Sequence, residues 1–117
     1  NGIGGGSIRN NGATDATLTI GGSESPAAFS LAITDGTTNK TAITRAGTGQ
    51  TELTGANTYT GLTTVTGGTL RLNRTSGTTI PATNDVNVTG GTLRISSNQT
   101  LNDLTIASGG TVIVAAG

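Results

Sequence analysis

The chain has 117 residues, with six basic and six acidic side chains and no Cys, Met, Trp or His. Twenty Gly, 26 Thr and 10 Asn fill nearly half of the positions, whereas Leu, Ile, Val and Phe together fill only 24. Net neutrality argues against a nucleic-acid partner. The missing Cys and His exclude disulfides, Cys/His zinc sites and imidazole catalysis, and the short apolar runs predict no membrane insertion. Such a chain folds only if it needs no large globular core.

Residues 1–45 form an irregular N-terminal third of what we interpret as a single domain, residues 1–117. A weak copy of a later repeat lies at residues 16–22 (Ala-Thr-Leu-Thr-Ile-Gly-Gly). Residues 23–26 (Ser-Glu-Ser-Pro) interrupt the pattern and indicate a loop.

A strand is expected at Phe29–Ile33, where apolar and small residues follow one another. The Asp35-Gly36 dipeptide after it is typical of a tight turn. We therefore expect a hairpin-like excursion that returns along Thr41–Thr44.

The second part of the chain, residues 46–117, is repetitive, and three of its segments align with one another. Those segments are residues 63–72, 86–95 and 104–114. Their Gly-Gly corners are Gly67-Gly68, Gly90-Gly91 and Gly109-Gly110, at spacings of 23 and 19 residues. A repeat of about 20 residues is typical of a solenoid, and Gly suits corners that require a positive φ.

Each repeat alternates apolar and other residues with the period of a strand. Arg71 and Arg94 share the outward phase and are expected to stack one rung apart. The pattern predicts an all-β parallel β-helix of about five three-strand rungs, stacked about 4.8 Å apart. Six side chains are expected to share one core: Leu70, Leu72, Leu93, Ile95, Val112 and Val114.

A specific motif lies between residues 46 and 72. Leu-x-Gly-Ala-Asn-Thr-Tyr-Thr-Gly occupies residues 53–61, and Thr-Thr-Val and Gly-Thr-Leu strands follow it. This stretch strongly resembles the autotransporter-associated β-strand repeat, also called the passenger-associated transport repeat. Leu62 and Glu52 depart from the usual pattern. The motif residues are Gly55, Ala56, Asn57, Thr58, Tyr59, Thr60 and Gly61.

The resemblance implies a right-handed parallel β-helix within a large bacterial protein that is secreted or displayed on the cell surface. It also implies that the repeat helps the passenger to cross the outer membrane and to fold outside. It brings no catalytic residue, cofactor or metal ligand. Tyr59 is expected to cap a corner or to cover the edge of the core.

Two Asn-Asp pairs, Asn84-Asp85 and Asn102-Asp103, align in successive repeats. Stacking would bring the carboxylates within roughly 5 Å of each other, which suits a shared cation. The interpretation that we favour is turn chemistry, in which these side chains bond to nearby backbone amides.

Other polar groups suggest further ligands. Arg71 and Arg94 could hold an acidic or sulfated glycan, but a solvated outer face is the interpretation that we favour. Thr-x-Thr pairs resemble those of ice-binding solenoids, but they do not recur at one phase. The acids are scattered over unrelated phases, which argues against a catalytic cluster: Asp15, Glu24, Asp35, Glu52, Asp85 and Asp103.

These observations predict a non-enzymatic structural segment, acting as a stalk, spacer or filament module. The alternatives are an adhesin module that binds glycans or surfaces, and a polysaccharide-active β-helix enzyme. Residues 109–117 end in a repeat without a polar cap. We therefore expect neighbouring rungs or subunits of the same protein to pack end to end against it.

Overall fold

The structure, a computed structural model, describes residues 7–21, 27–30, 32–74 and 78–115. These residues form twelve short strands, and no helix occurs among them. The strands are β1 (Ser7–Arg9), β2 (Ala16–Ile20), β3 (Ala27–Phe29), β4 (Ala32–Thr34), β5 (Thr41–Arg45), β6 (Gln50–Leu53), β7 (Thr63–Val65), β8 (Thr69–Leu72), β9 (Val86–Val88), β10 (Gly91–Ile95), β11 (Leu104–Ile106) and β12 (Gly110–Val114).

Every pair of adjacent strands in the described residues is parallel, and ten of the twelve strands stack into two five-stranded sheets. The first sheet has the order β11-β9-β7-β5-β2, and the second sheet has the order β12-β10-β8-β6-β3. Successive strands of one sheet lie one rung apart along the chain. This arrangement confirms the predicted all-β solenoid, which makes about four turns.

The third side of the solenoid differs from the prediction of three strands in every rung. There β1 pairs with β4, and the later rungs pass this side without a described strand. Isolated backbone hydrogen bonds join the rungs there instead of a strand ladder. For example, the Thr58 and Tyr59 amides both donate to the Ile33 carbonyl oxygen. Side-chain amides add further bonds between rungs on this side, from Asn57 to Ile33 and Thr79 and from Gln99 to Ile80.

The predicted hairpin is wrong. β4 and β5 lie in different sheets, so the chain turns a corner at Asp35-Gly36 instead of folding back on itself. The strand expected at Phe29–Ile33 is divided, because β3 ends at Phe29 and β4 begins at Ala32. The weak copy at the N-terminus does supply a strand, β2, in the first sheet. Residues 23–26, which include Glu24, lie outside the described residues.

The core is a narrow column of side chains between the sheets. Of the six residues predicted to point inward, the four in β8 and β10 are buried, and Val112 packs against them. Val114 is 75% exposed, so the prediction is wrong for this residue. It shares the inward phase of Ile95, its partner in β10, but within the described residues β12 has a neighbouring strand on one side only.

The Gly-Gly corners have the expected backbone conformation at one residue of each pair. Gly68, Gly91 and Gly109 have φ angles of 62°, 76° and 93°, values that residues with a β-carbon rarely adopt. The third corner uses the first Gly of its pair because its repeat carries one additional residue before it. The Gly110 amide closes that turn by donating to the Ala107 carbonyl oxygen at 2.9 Å.

Candidate functional site

The motif segment, residues 53–61, begins at the last residue of β6 and continues along the third side of the solenoid, and Asn57 is its central polar residue. The Asn57 side chain is buried. Its Oδ1 accepts the Ile33 amide at 2.8 Å, and its Nδ2 donates to the Thr79 carbonyl oxygen at 3.0 Å. Ile33 and Thr79 belong to the rungs before and after the motif. One amide side chain therefore joins three rungs, where a third strand would otherwise provide ladder bonds.

Tyr59 lies inside the core, which corrects the prediction that it covers the core edge. Its side chain has no exposed surface, and its hydroxyl group lies 2.6 Å from the Thr63 hydroxyl oxygen. Burial raises the pKa of the Tyr59 phenol far above its ordinary value. The neutral phenol thus fills the core and satisfies its polar end within the same rung.

Thr60 fixes the motif to the preceding rung through Asp35. The Thr60 amide donates to Asp35 Oδ1 at 3.0 Å, and its hydroxyl group donates to Oδ2 at 2.5 Å. The Thr41 amide also donates to Oδ1. Burial opposes ionisation of Asp35, but these hydrogen bonds outweigh it and hold the pKa of the carboxyl below its usual range.

Gly61 ends the motif where two backbones approach closely. Its amide donates to the Thr41 carbonyl oxygen at 3.0 Å. A β-carbon added to Gly61 would lie 2.5 Å from that oxygen. Only Gly fits without moving a strand. At the other end, the Gly55 carbonyl oxygen accepts a bond from Asn57 Nδ2, so the motif also binds to itself.

Asn84 extends this polar network into the next rung. Its buried side chain donates from Nδ2 to the Tyr59 carbonyl oxygen at 2.9 Å. The aligned Asn102 donates from its own Nδ2 to Asp85 Oδ1 at 2.8 Å, and its backbone amide donates to the Asn84 carbonyl oxygen. The two Asn-Asp pairs stack as predicted. The Asn84 and Asn102 side chains bond to the adjacent rung, whereas the Asn84 backbone amide donates to the Pro81 carbonyl oxygen in the local turn.

Arg45 is a core residue that the sequence analysis missed. It is 1% exposed, and its Nε and Nη1 donate to the carbonyl oxygens of Thr69 and Ile20, both at 3.2 Å. Burial lowers the pKa of its guanidinium. A β-carbon on Gly68 would lie 2.8 Å from Arg45 Nη2. The Gly-Gly corner therefore leaves room for this side chain, as well as making the turn.

Arg71 and Arg94 stack on the outer face of the second sheet, as predicted, and Glu52 precedes them in the same column. Arg71 Nε lies 3.6 Å from Glu52 Oε2 and donates to the Ser96 hydroxyl oxygen at 2.9 Å. The charge of Arg71 is thus largely compensated within the protein. Arg94 Nε is buried and has no acceptor among the described residues, since Ala115 occupies the place that Ser96 has one rung earlier.

The outer face of the first sheet carries a column of uncharged side chains, with one residue from each rung. The predicted irregularity of the Thr-x-Thr pairs is confirmed, because Thr17 stacks on Ala42 and Thr19 stacks on Thr44. A single column nevertheless continues through all five strands. Its members are Thr19, Thr44, Thr64, Asn87 and Thr105.

The described residues contain no group of three or more acidic side chains placed to hold a metal ion. No described helix has the length and apolarity that a membrane span requires.

A comparison with family models identifies residues 43–72 as a passenger-associated transport repeat. The matched range contains the motif segment, Arg45 and the Gly67-Gly68 corner, and it confirms the resemblance seen in the sequence. This repeat implies a passenger region of an autotransporter and suggests a secreted or cell-surface protein. Comparisons with curated proteins and with solved structures find no match.

Proposed function

We propose that the chain is a non-enzymatic structural segment of an autotransporter passenger, serving as a stalk or spacer. The observation that carries the proposal is the use of the motif side chains. Asn57, Tyr59 and Thr60 direct their polar atoms to other parts of the solenoid, and Gly61 permits a close backbone contact. The repeat therefore contributes its chemistry to joining rungs.

A matched pair of Asn variants tests this proposal in the full-length passenger on the bacterial surface. Asn57→Ala removes the side chain that joins three rungs, whereas Asn87→Ala alters a half-exposed position on the outer face of the first sheet. We expect the first variant to lower the amount of protease-resistant passenger on the surface and the second to leave it unchanged. Equal amounts of resistant passenger in both variants would contradict the proposal.

The absence of catalysis is tested separately. Purified protein is incubated with uronic-acid polymers, and the absorbance of unsaturated products is followed. We expect no turnover. Turnover that disappears on substitution of Asp85 or Asp103 would overturn the non-enzymatic assignment and favour the polysaccharide-active alternative.

The proposal also includes end-to-end packing. The end of the solenoid formed by β11 and β12 would be covered by another β-solenoid rung. Further rungs of the same protein, or another copy, would cover the exposed Ile106 and Val114. Open strand edges pair readily with other chains, and zero net charge provides no repulsion between copies.

Light scattering of the 117-residue chain over a wide concentration range tests this assignment. We expect the mean mass to rise with concentration, and Val114→Lys to suppress the rise because charged residues protect sheet edges. A folded monomer at every concentration would contradict end-to-end packing.

A further inference from the structure

A groove runs along the outer surface of the first three rungs, where the third side meets the first sheet. It has a volume of about 320 Å³. One wall is the column Thr17, Ala42 and Leu62 at the start of the first sheet, and the other is the column Asp15, Lys40 and Thr60. We call it the corner groove. Three rungs stacked about 4.8 Å apart give it a length of about 10 Å.

The corner groove is open because its lining includes small residues in three different rungs: Ala16, Ala42 and Gly61. At Gly61, the neighbouring Thr41 backbone leaves no room for a β-carbon. The concavity is therefore a consequence of the close packing between rungs.

Polar and apolar groups converge in this space. Leu62, one of the two residues that depart from the usual motif, is 41% exposed and provides an apolar surface. Asp15 Oδ1 accepts the Lys40 amide at 2.7 Å. A carboxylate can accept about four hydrogen bonds, so capacity remains for a ligand, and a Lys ammonium group supplies three donors.

The charges favour an uncharged ligand. Lys40 lies close enough to Asp35 to favour its ionised form, and Asp15 lines the same wall as Lys40. The carboxylates disfavour an anion, and the ammonium group disfavours a cation. A ligand that has hydroxyl groups and no charge can bond to both kinds of side chain.

We propose that the corner groove binds one uncharged sugar ring of a glycan. The apolar C–H face of the ring would lie on Leu62 and Ala42, and its hydroxyl groups would bond to Asp15 and Lys40. A small ligand in an open groove binds weakly, with a dissociation constant on the order of 1–10 mM. The groove shares Thr60 and Gly61 with the motif segment, but the proposed sugar contacts are Leu62, Ala42, Asp15 and Lys40, which the spacer proposal does not use.

Methyl resonances of the 117-residue chain provide the test. Methyl glycosides of glucose, galactose, mannose and N-acetylglucosamine are titrated singly, with glucuronate as the charged competitor. We expect saturable shifts of the Leu62 and Ala42 methyl groups with at least one uncharged glycoside. Leu104 is equally exposed, at 41%, on the last strand of the same sheet, and its methyl groups should not shift.

Variants show whether the groove itself binds the sugar. Leu62→Ala should weaken binding about tenfold through the lost apolar contact, and Leu104→Ala should have no effect. Asp15→Asn keeps the acceptor for the Lys40 amide and should weaken binding by removing the charge-assisted bond. Thermal unfolding confirms that each variant is folded. Absence of saturable shifts with every glycoside, tighter binding of glucuronate, or full binding by Leu62→Ala would overturn the proposal.

Discussion

The rung built from β9 and β10 and the rung built from β11 and β12 have the same apolar phase but very different burial. Val88 is fully buried, whereas Ile106, its partner in β11, is 50% exposed. Ile95 is 8% exposed, whereas its partner Val114 is 75% exposed. The sequences of the two rungs do not explain this difference. In a solenoid, a rung is buried by its two neighbours, so equivalent residues contribute unequally to stability.

The largest expected difference concerns the core of the second sheet. Leu93→Ala should lower the free energy of unfolding by about 2–5 kcal/mol, because it removes methyl groups from a closed interior and leaves a cavity. Val112→Ala, at the partner position in β12, should cost less, because Val112 is only partly buried and the substitution removes two carbon atoms instead of three. Chemical denaturation of both variants measures the two values. Equal losses in the free energy of unfolding would mean that the two rungs contribute equally to stability.

The corner glycines give the second comparison. Gly91→Ala places a β-carbon 2.6 Å from the Gly68 carbonyl oxygen, at a φ of 76°. Left-handed strain of about 1–2 kcal/mol and overpacking of about 1–3 kcal/mol should together destabilise the fold. In Gly109→Ala, the nearest described atom is the Thr89 carbonyl oxygen at 3.9 Å, so only the strain remains. Thermal unfolding of both variants should rank Gly91→Ala as clearly worse, and the reverse order would refute the role of rung packing at this corner.

Buried asparagines should show a smaller difference. Asn84→Ala leaves the Tyr59 carbonyl oxygen without its side-chain donor in a buried position, at a cost of about 1–3 kcal/mol. Asn102→Ala removes a bond to Asp85 on the exposed surface, where water can replace it. Urea unfolding distinguishes the two, and a larger loss for Asn102→Ala would contradict the assignment of Asn84 to the interior network.

The smallest expected effect depends on pH and concerns Asp35, which joins the second and third rungs. Its folded pKa is lowered by the bonds from Thr60 and Thr41, which outweigh burial. The ionised form therefore contributes stability above the ordinary value of about 3.9, and this contribution is lost as the pH falls through the folded pKa. On acidification below about pH 4, the melting temperature should fall further for the native chain than for Asp35→Asn. A parallel fall in both would show that Asp35 makes no such contribution.

Much of the fold follows from local periodicity. The alternation around Arg71 and Arg94 and the repeated Gly-Gly corners fix the phase of β8 and β10, and the predicted stacking of the two arginines is confirmed. The same alternation could have placed Arg45 inside, because it shares the phase of Thr41 and Ile43. Because the Arg45 side chain is charged, the sequence analysis did not predict that it is buried.

The remaining features depend on contacts between distant residues. Asp35-Gly36 gives the same local signal for a corner as for a hairpin, and only pairing of β5 with β2 and β7 decides between them. The corner groove combines small residues of three rungs, so no single repeat contains its pattern. The exposure of Val114 likewise reflects its neighbours and not its own repeat.

Arg45 limits how freely rungs could be exchanged in a redesigned solenoid. Its guanidinium spans from the first sheet to the Thr69 carbonyl oxygen of the next rung and occupies space that the bare Gly68 leaves free. In a transplanted copy of the strand Thr41–Arg45, a side chain at the position of Gly68 would contact the guanidinium, in addition to the Gly49 carbonyl oxygen that already excludes a β-carbon there. Arg45 and Gly68 would therefore have to be transferred together. A graft boundary between them would separate the buried guanidinium from the glycine corner that accommodates it.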